Sequence, residues 1–89
     1  LVTPYNELKV IHGSIRTFSK DVNEEELVWH RDKEKRRIIV LEGYNWKLQF
    51  DNQEPMQLME QHSYSIPAME YHRILKGEGD LVLRIYDGQ

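Results

Sequence analysis

Arg37-Ile-Ile-Val-Leu41-Glu-Gly43-Tyr-Asn-Trp46-Lys-Leu48-Gln-Phe50 is the most informative stretch of this 89-residue chain. Its first five residues form a β-branched run that Glu42-Gly43 interrupts. From Trp46 the pattern alternates strictly, which sends Trp46, Leu48 and Phe50 to one face of a strand and Lys47 and Gln49 to the other. The reading is two strands joined as a hairpin around Gly43.

The same signals recur on both sides. Upstream, Leu8 to His12 and Ser14 to Phe18 read as strands flanking Gly13, and Leu27-Val-Trp29-His30 as a short strand running into the charged loop 31–36. Asp21 to Glu26 is acidic and turn-like, with room for one helical turn but no apolar residue repeating at helical spacing. Downstream, Asp51 to Pro55 is a polar turn, Met56 and Leu58 begin a further short strand, and Tyr64-Ser-Ile66 is a strand closed by Pro67. Tyr71 to Leu75 follows, then the turn Lys76-Gly-Glu-Gly-Asp80 and a last strand, Leu81 to Tyr86. Short strands separated by regular turns predict one all-β domain over residues 1–89, a sandwich or closed barrel. Trp29, Trp46, Phe50 and Tyr64 are its expected core aromatics, and His12 and His62 are expected on the surface.

Composition narrows the function. The chain has no cysteine, so a disulfide framework, a thiolate zinc site and a cysteine nucleophile are all excluded. Twelve basic against 15 acidic residues leave a net charge of −3, and the one basic cluster, Arg31 to Arg37, is diluted by Asp32 and Glu34. That balance argues against a nucleic-acid surface. No apolar run approaches the roughly 20 residues of a membrane-spanning helix. No charged-then-apolar leader opens the sequence. The expectation is a soluble cytoplasmic domain.

The chemistry centres on two histidines. His30 ends a strand and Asp32 follows two residues on, so in extended chain both side chains leave the same face. Together with His72 they offer two imidazoles and a carboxylate, a donor set suited to iron, manganese, zinc or nickel that leaves coordination positions open.

The spacing of these residues resembles the two motifs of the cupins. The first is written G-x5-H-x-H-x3-4-E-x6-G, and here His30-x-Asp32-x3-Arg36-x6-Gly43 stands in its place. The second is G-x5-P-x-G-x2-H-x3-N, matched by Gln61-x5-Pro67-x-Met69-x2-His72-x3-Lys76, with 17 residues between Gly43 and Gln61. The resemblance implies a double-stranded β-helix, a jelly-roll-like barrel with His30 and His72 facing each other in its pocket, and a homodimer. It also implies His30, Asp32 and His72 as ligands of a divalent metal. Arg36 departs from the pattern, because it occupies the position of a glutamate ligand and a guanidinium cannot coordinate a cation. Glu34 lies nearby but out of register.

Three functions follow. The preferred one is a small-molecule binding protein with an altered metal site, in which Arg36, Gln49, His30 and His72 hold an anionic ligand. Against it stands a structural reading of the same residues, in which Asp32 and Arg36 form an ion pair that closes the metal site with His30 in the network. The second is a metal-dependent enzyme of isomerase or oxygenase type using His30, Asp32 and His72. The third is a ligand-free structural module.

Overall fold

The computed structural model describes residues 3–88; Leu1, Val2 and Gln89 lie outside the described residues. Two antiparallel sheets pack face to face. The larger contains β1 (Asn6–Val10), β2 (Gly13–Phe18), β3 (Arg36–Tyr44), β6 (Ser63–Ile66) and β8 (Glu78–Asp87), in the order β1-β2-β8-β3-β6. The smaller contains β4 (Lys47–Phe50), β5 (Met56–Gln57) and β7 (His72–Leu75), in the order β5-β4-β7. The all-β expectation holds, and one 3₁₀ turn, Glu24–Glu26, occupies the acidic stretch, capped by the Asn23 side chain, which accepts from Glu25 N at 2.9 Å.

Alternation explains the layers. On β8, Leu81, Leu83 and Ile85 are buried against the smaller sheet, while Val82, Arg84 and Tyr86 face outward. β8 is the central strand, paired to β2 on one side and β3 on the other. Ile38 and Val40 of β3, Phe18 of β2, and Leu48 and Ile74 of the facing sheet complete the core, together with Trp46 and Leu58. Trp46 is fully buried, and its indole N–H donates to Gly79 O at 3.2 Å, so the one polar atom of that ring is satisfied.

The connection around Gly43 differs from the expected hairpin. β3 and β4 do not pair; β3 stays in the larger sheet and β4 crosses to the smaller. Register shifts between Val40 and Glu42 and again between Glu42 and Tyr44 bend the end of β3, and Asn45 turns the corner at φ 61°. A hairpin would have sent Trp46 back alongside β3, whereas the corner buries it between the layers. The chain crosses back at Gly77, between β7 and β8. The two crossings touch there, for a Cβ on Gly77 would overlap the backbone of Tyr44, Asn45 and Trp46. Glycine is required by this close approach. The expected turn at 76–80 is accordingly shorter, with β8 already extended from Glu78.

The expected strand at Leu27–His30 is also corrected. Only His30 makes ladder bonds, as an isolated bridge to His72, because the preceding residues rise out of the 3₁₀ turn. Trp29 is half-buried on the outer surface and does not join the core cluster.

At the open end of the sandwich, Arg16 occupies an inward position on β2 and donates to Glu7 on β1 at 2.7 Å. This hydrogen bond holds the Glu7 carboxyl at about 2, against its ordinary 4.5. A carboxyl depressed by folding stabilises fully above its unfolded value and loses that contribution as pH falls through the folded one. The urea midpoint should therefore drop between pH 4.5 and about 2 by more in the wild type than in Glu7→Gln, the two curves converging at the acid end. Gly77→Ala should cost about 1–3 kcal/mol in equilibrium urea unfolding, as the two crossings are forced apart.

Candidate metal-binding pocket

The site is built on one pair of backbone hydrogen bonds. His30 N donates to His72 O and His72 N donates to His30 O, both at 2.9 Å. Residues that exchange both bonds sit directly opposite in an antiparallel pair, with side chains on the same face. The imidazole centroids are consequently 4.3 Å apart. Asp32, two residues on, emerges on the same side, and its carbonyl accepts from Met69 N at 2.7 Å. On the other flank of β7, Phe50 pairs with His72, its ring 6.2 Å from the imidazole.

Both histidines have their Nδ1 committed. His72 Nδ1 lies 2.7 Å from Glu70 O and His30 Nδ1 lies 3.0 Å from Val28 O. A carbonyl oxygen only accepts, so each Nδ1 carries a proton, and in the neutral ring Nε2 presents a lone pair. His72 is 3% exposed, and burial pushes its pKa below the ordinary 6.5, keeping the ring neutral at pH 7. His72 Nε2 faces Asp32 Oδ2 at 3.4 Å, and His30 Nε2 is 3.9 Å from Asp32 Oδ1. Asp32 Oδ2 is buried with no hydrogen-bond partner. The neutral His72 Nε2 and the buried Asp32 Oδ2 are thus two facing acceptors, an arrangement that costs free energy unless a cation lies there.

The donor atoms lie within 4.8 Å of one another. Ligands on one ion at about 2.2 Å can be no more than about 4.4 Å apart. The widest pair therefore need close by only a few tenths of an ångström. Two imidazoles and a carboxylate on adjacent backbone segments could hold a divalent metal.

Arg36 stays outside this group. Its Nη1 is 3.4 Å from Asp32 Oδ1 and its Nε is 3.0 Å from Asp87 Oδ1. The expected Asp32–Arg36 ion pair forms, but it engages Oδ1, the oxygen nearer His30, and leaves Oδ2 to His72. Glu34 remains exposed in the loop. Gln49 is corrected: it alternates with the buried Leu48 and Phe50 and so projects from the outer face of β4. There it accepts from Arg73 Nε at 2.9 Å, away from the pocket.

The donor group opens on a cavity of about 290 Å³ between the sheets. Its walls include Phe18, Ile38, Ile66, Ile74, Leu83 and Ile85, with Tyr5, Leu27 and Val28 over the opening and Arg16, Glu26 and Arg36 as further polar groups. Arg16 and Glu26 escaped the sequence reading. Arg16 was detectable as a charged residue at an inward position between Ser14 and Phe18, whereas Glu26 sits on an irregular turn that carries no periodic signal.

On the outside, an aromatic stack fastens the His30 segment. The Trp29 and Tyr71 rings lie 6.0 Å apart at 15°, Arg73 covers Trp29 at 4.6 Å and Arg31 covers Tyr71 at 4.9 Å. Because His30 and His72 point inward as partners, their neighbours Trp29 and Tyr71 meet on the opposite face. The stack supplements a segment that has only two ladder bonds. Trp29→Ala should speed amide hydrogen exchange at His30 about tenfold, with Trp29→Phe retaining most of the protection and global unfolding little changed.

No protein-family model matches the chain, and no curated protein matches it in sequence. Solved structures match it in fold. An RmlC-like cupin from Shewanella frigidimarina superposes at TM-score 0.64 and 17% identity, over 96% of this chain and 75% of that one. A protein from Neisseria meningitidis superposes at TM-score 0.64 and 15% identity, over 96% and 82%. The DMSP lyase DddQ from Ruegeria pomeroyi reaches TM-score 0.68 at 12% identity, over 85% of this chain and 37% of the lyase. The chain thus spans little more than a third of that enzyme's length. The two facing antiparallel sheets, the pocket between them and these superpositions agree: the chain has the jelly-roll fold of the cupins.

Proposed function

We propose that this protein binds a small molecule at a divalent metal ion held by His30, Asp32 and His72. The observation that carries the reading is the buried Asp32 Oδ2, which has no hydrogen-bond partner and faces the lone pair of His72 Nε2 at 3.4 Å. Charge supports it. Arg16 and Arg36 are set among Glu7, Glu26, Asp32 and Asp87, two cations against four carboxylates, beside two histidines. One divalent cation balances that excess.

The chain's own residues divide the work. His72 and His30 are fixed in tautomer by Glu70 O and Val28 O. Arg36, braced by Asp87, orients the Asp32 carboxylate, and the apolar walls adjoin His72, the buried donor, while His30 is open to solvent. A bound metal would act as a Lewis acid toward an oxygen donor of the ligand. The same three residues would serve a metal-dependent enzyme, and the cavity that adjoins the donors is what favours that second reading.

Protein purified without a metal-affinity tag and exposed to zinc or cobalt(II) should carry about one ion per chain by elemental analysis. His72→Ala should lower the affinity at least tenfold. A wild type that takes up no metal, yet shows a thermal shift with small anions that Arg36→Ala abolishes, would establish anion binding by Arg36 instead.

A further inference from the structure

We infer that the molecule taken at this site is a small monocarboxylate with a short apolar tail, and not a sugar or a sugar phosphate; the inference rests on the metal reading above. Away from the donor group the cavity is walled by Phe18, Ile38, Ile74, Leu83 and Ile85, all buried and without polar atoms in their side chains. A sugar brings several hydroxyl groups into such a space. Each one left without a partner would weaken binding by roughly tenfold or more.

The remaining polar groups can supply few of those partners. The Arg16 guanidinium donates to Glu7 at 2.7 Å and lies 3.8 Å over the Tyr5 ring. Arg36 is held between Asp32 and Asp87. Arg16 Nε is left without a partner and the Glu26 carboxylate is exposed, two isolated groups beside the cluster of His30, Asp32 and His72, so a ligand that matches the cavity has its main polar end at that cluster and a largely apolar remainder.

Charge selects the polar end. With one divalent ion in place, the two excess carboxylates around the pocket are balanced, so a single negative charge next to Arg36 is better tolerated than the double charge of a phosphate monoester. Size selects the tail. At about 30 Å³ per water-sized group, a cavity of about 290 Å³ admits roughly ten such groups, a carboxylate with a tail of about six carbons.

The test is calorimetric titration of the cobalt(II)-loaded protein with acetate, butyrate, hexanoate, octanoate and glucose 6-phosphate, with cobalt stoichiometry measured in parallel. Affinity should rise about fourfold per methylene and level off near six to eight carbons, and glucose 6-phosphate should bind more weakly than hexanoate. The preference for hexanoate over acetate is read as a ratio, which general loosening of the fold does not change. Leu83→Phe, which fills the cavity, should lower that ratio about tenfold. Ile74→Ala, which enlarges it, should move the plateau about one or two carbons longer. Cobalt binding with no dependence on tail length, or with glucose 6-phosphate favoured over hexanoate, overturns the inference and leaves the metal site standing. No cobalt binding by the wild type overturns the metal site and the inference together.

Discussion

The two reciprocal backbone hydrogen bonds between His30 and His72 are the constraint on which the site depends. They add a one-residue rung to the edge of the smaller sheet, beside β7. A single rung has several consequences at once. It sets both imidazoles on the same face, directs Trp29 and Tyr71 to the other, and aims Asp32 back at the histidines. The carbonyls of Val28 and Glu70 then accept from the two Nδ1 atoms, so that local backbone geometry decides which nitrogen donates to the chain and which faces Asp32.

Around that rung the fold supplies an enclosure. The corners at Tyr44–Trp46 and Lys76–Gly77 carry the chain between the layers, and they meet backbone to backbone at Gly77. This contact brings β7, and with it His72 and Ile74, opposite β3 and β8. The 3₁₀ turn at Glu24–Glu26 and the residues around Tyr5 lie across the opening. Lys76 ties the first of these in place, donating to Val22 O at 2.8 Å. The apolar cavity is therefore a consequence of three strands facing five: the smaller sheet leaves part of the larger one covered only by irregular chain.

Arg36 illustrates how a departure from a familiar pattern can be accommodated. A guanidinium at the position of a metal ligand would repel a cation if it stood alone. Here Asp87, its cross-strand partner on β8, lies 3.0 Å from its Nε, and Asp32 meets it with one oxygen only. The second oxygen of Asp32 stays directed at His72. The positive charge is thus held beside the donor group, where it meets one oxygen of the Asp32 carboxylate and leaves the other free.

The sequence by itself determined the all-β class, most of the strands and the three convergent donors, because alternation is a local property and motif spacing records which strand ends share a face. Trp46, Leu48 and Phe50 were legible as core on that ground alone. Other features were decided only by the tertiary structure. Gly43 looks like a hairpin turn in sequence, but bulges in β3 and the burial of Trp46 make it a corner between sheets, and no local pattern distinguishes the two. Gln49 and Trp29 were misplaced because alternation gives relative sides, while which side faces the cavity depends on what packs against it. The partition of the Asp32 oxygens between Arg36 and His72 required the register of β3 against β8, a relation between residues about fifty positions apart that only the folded chain brings together.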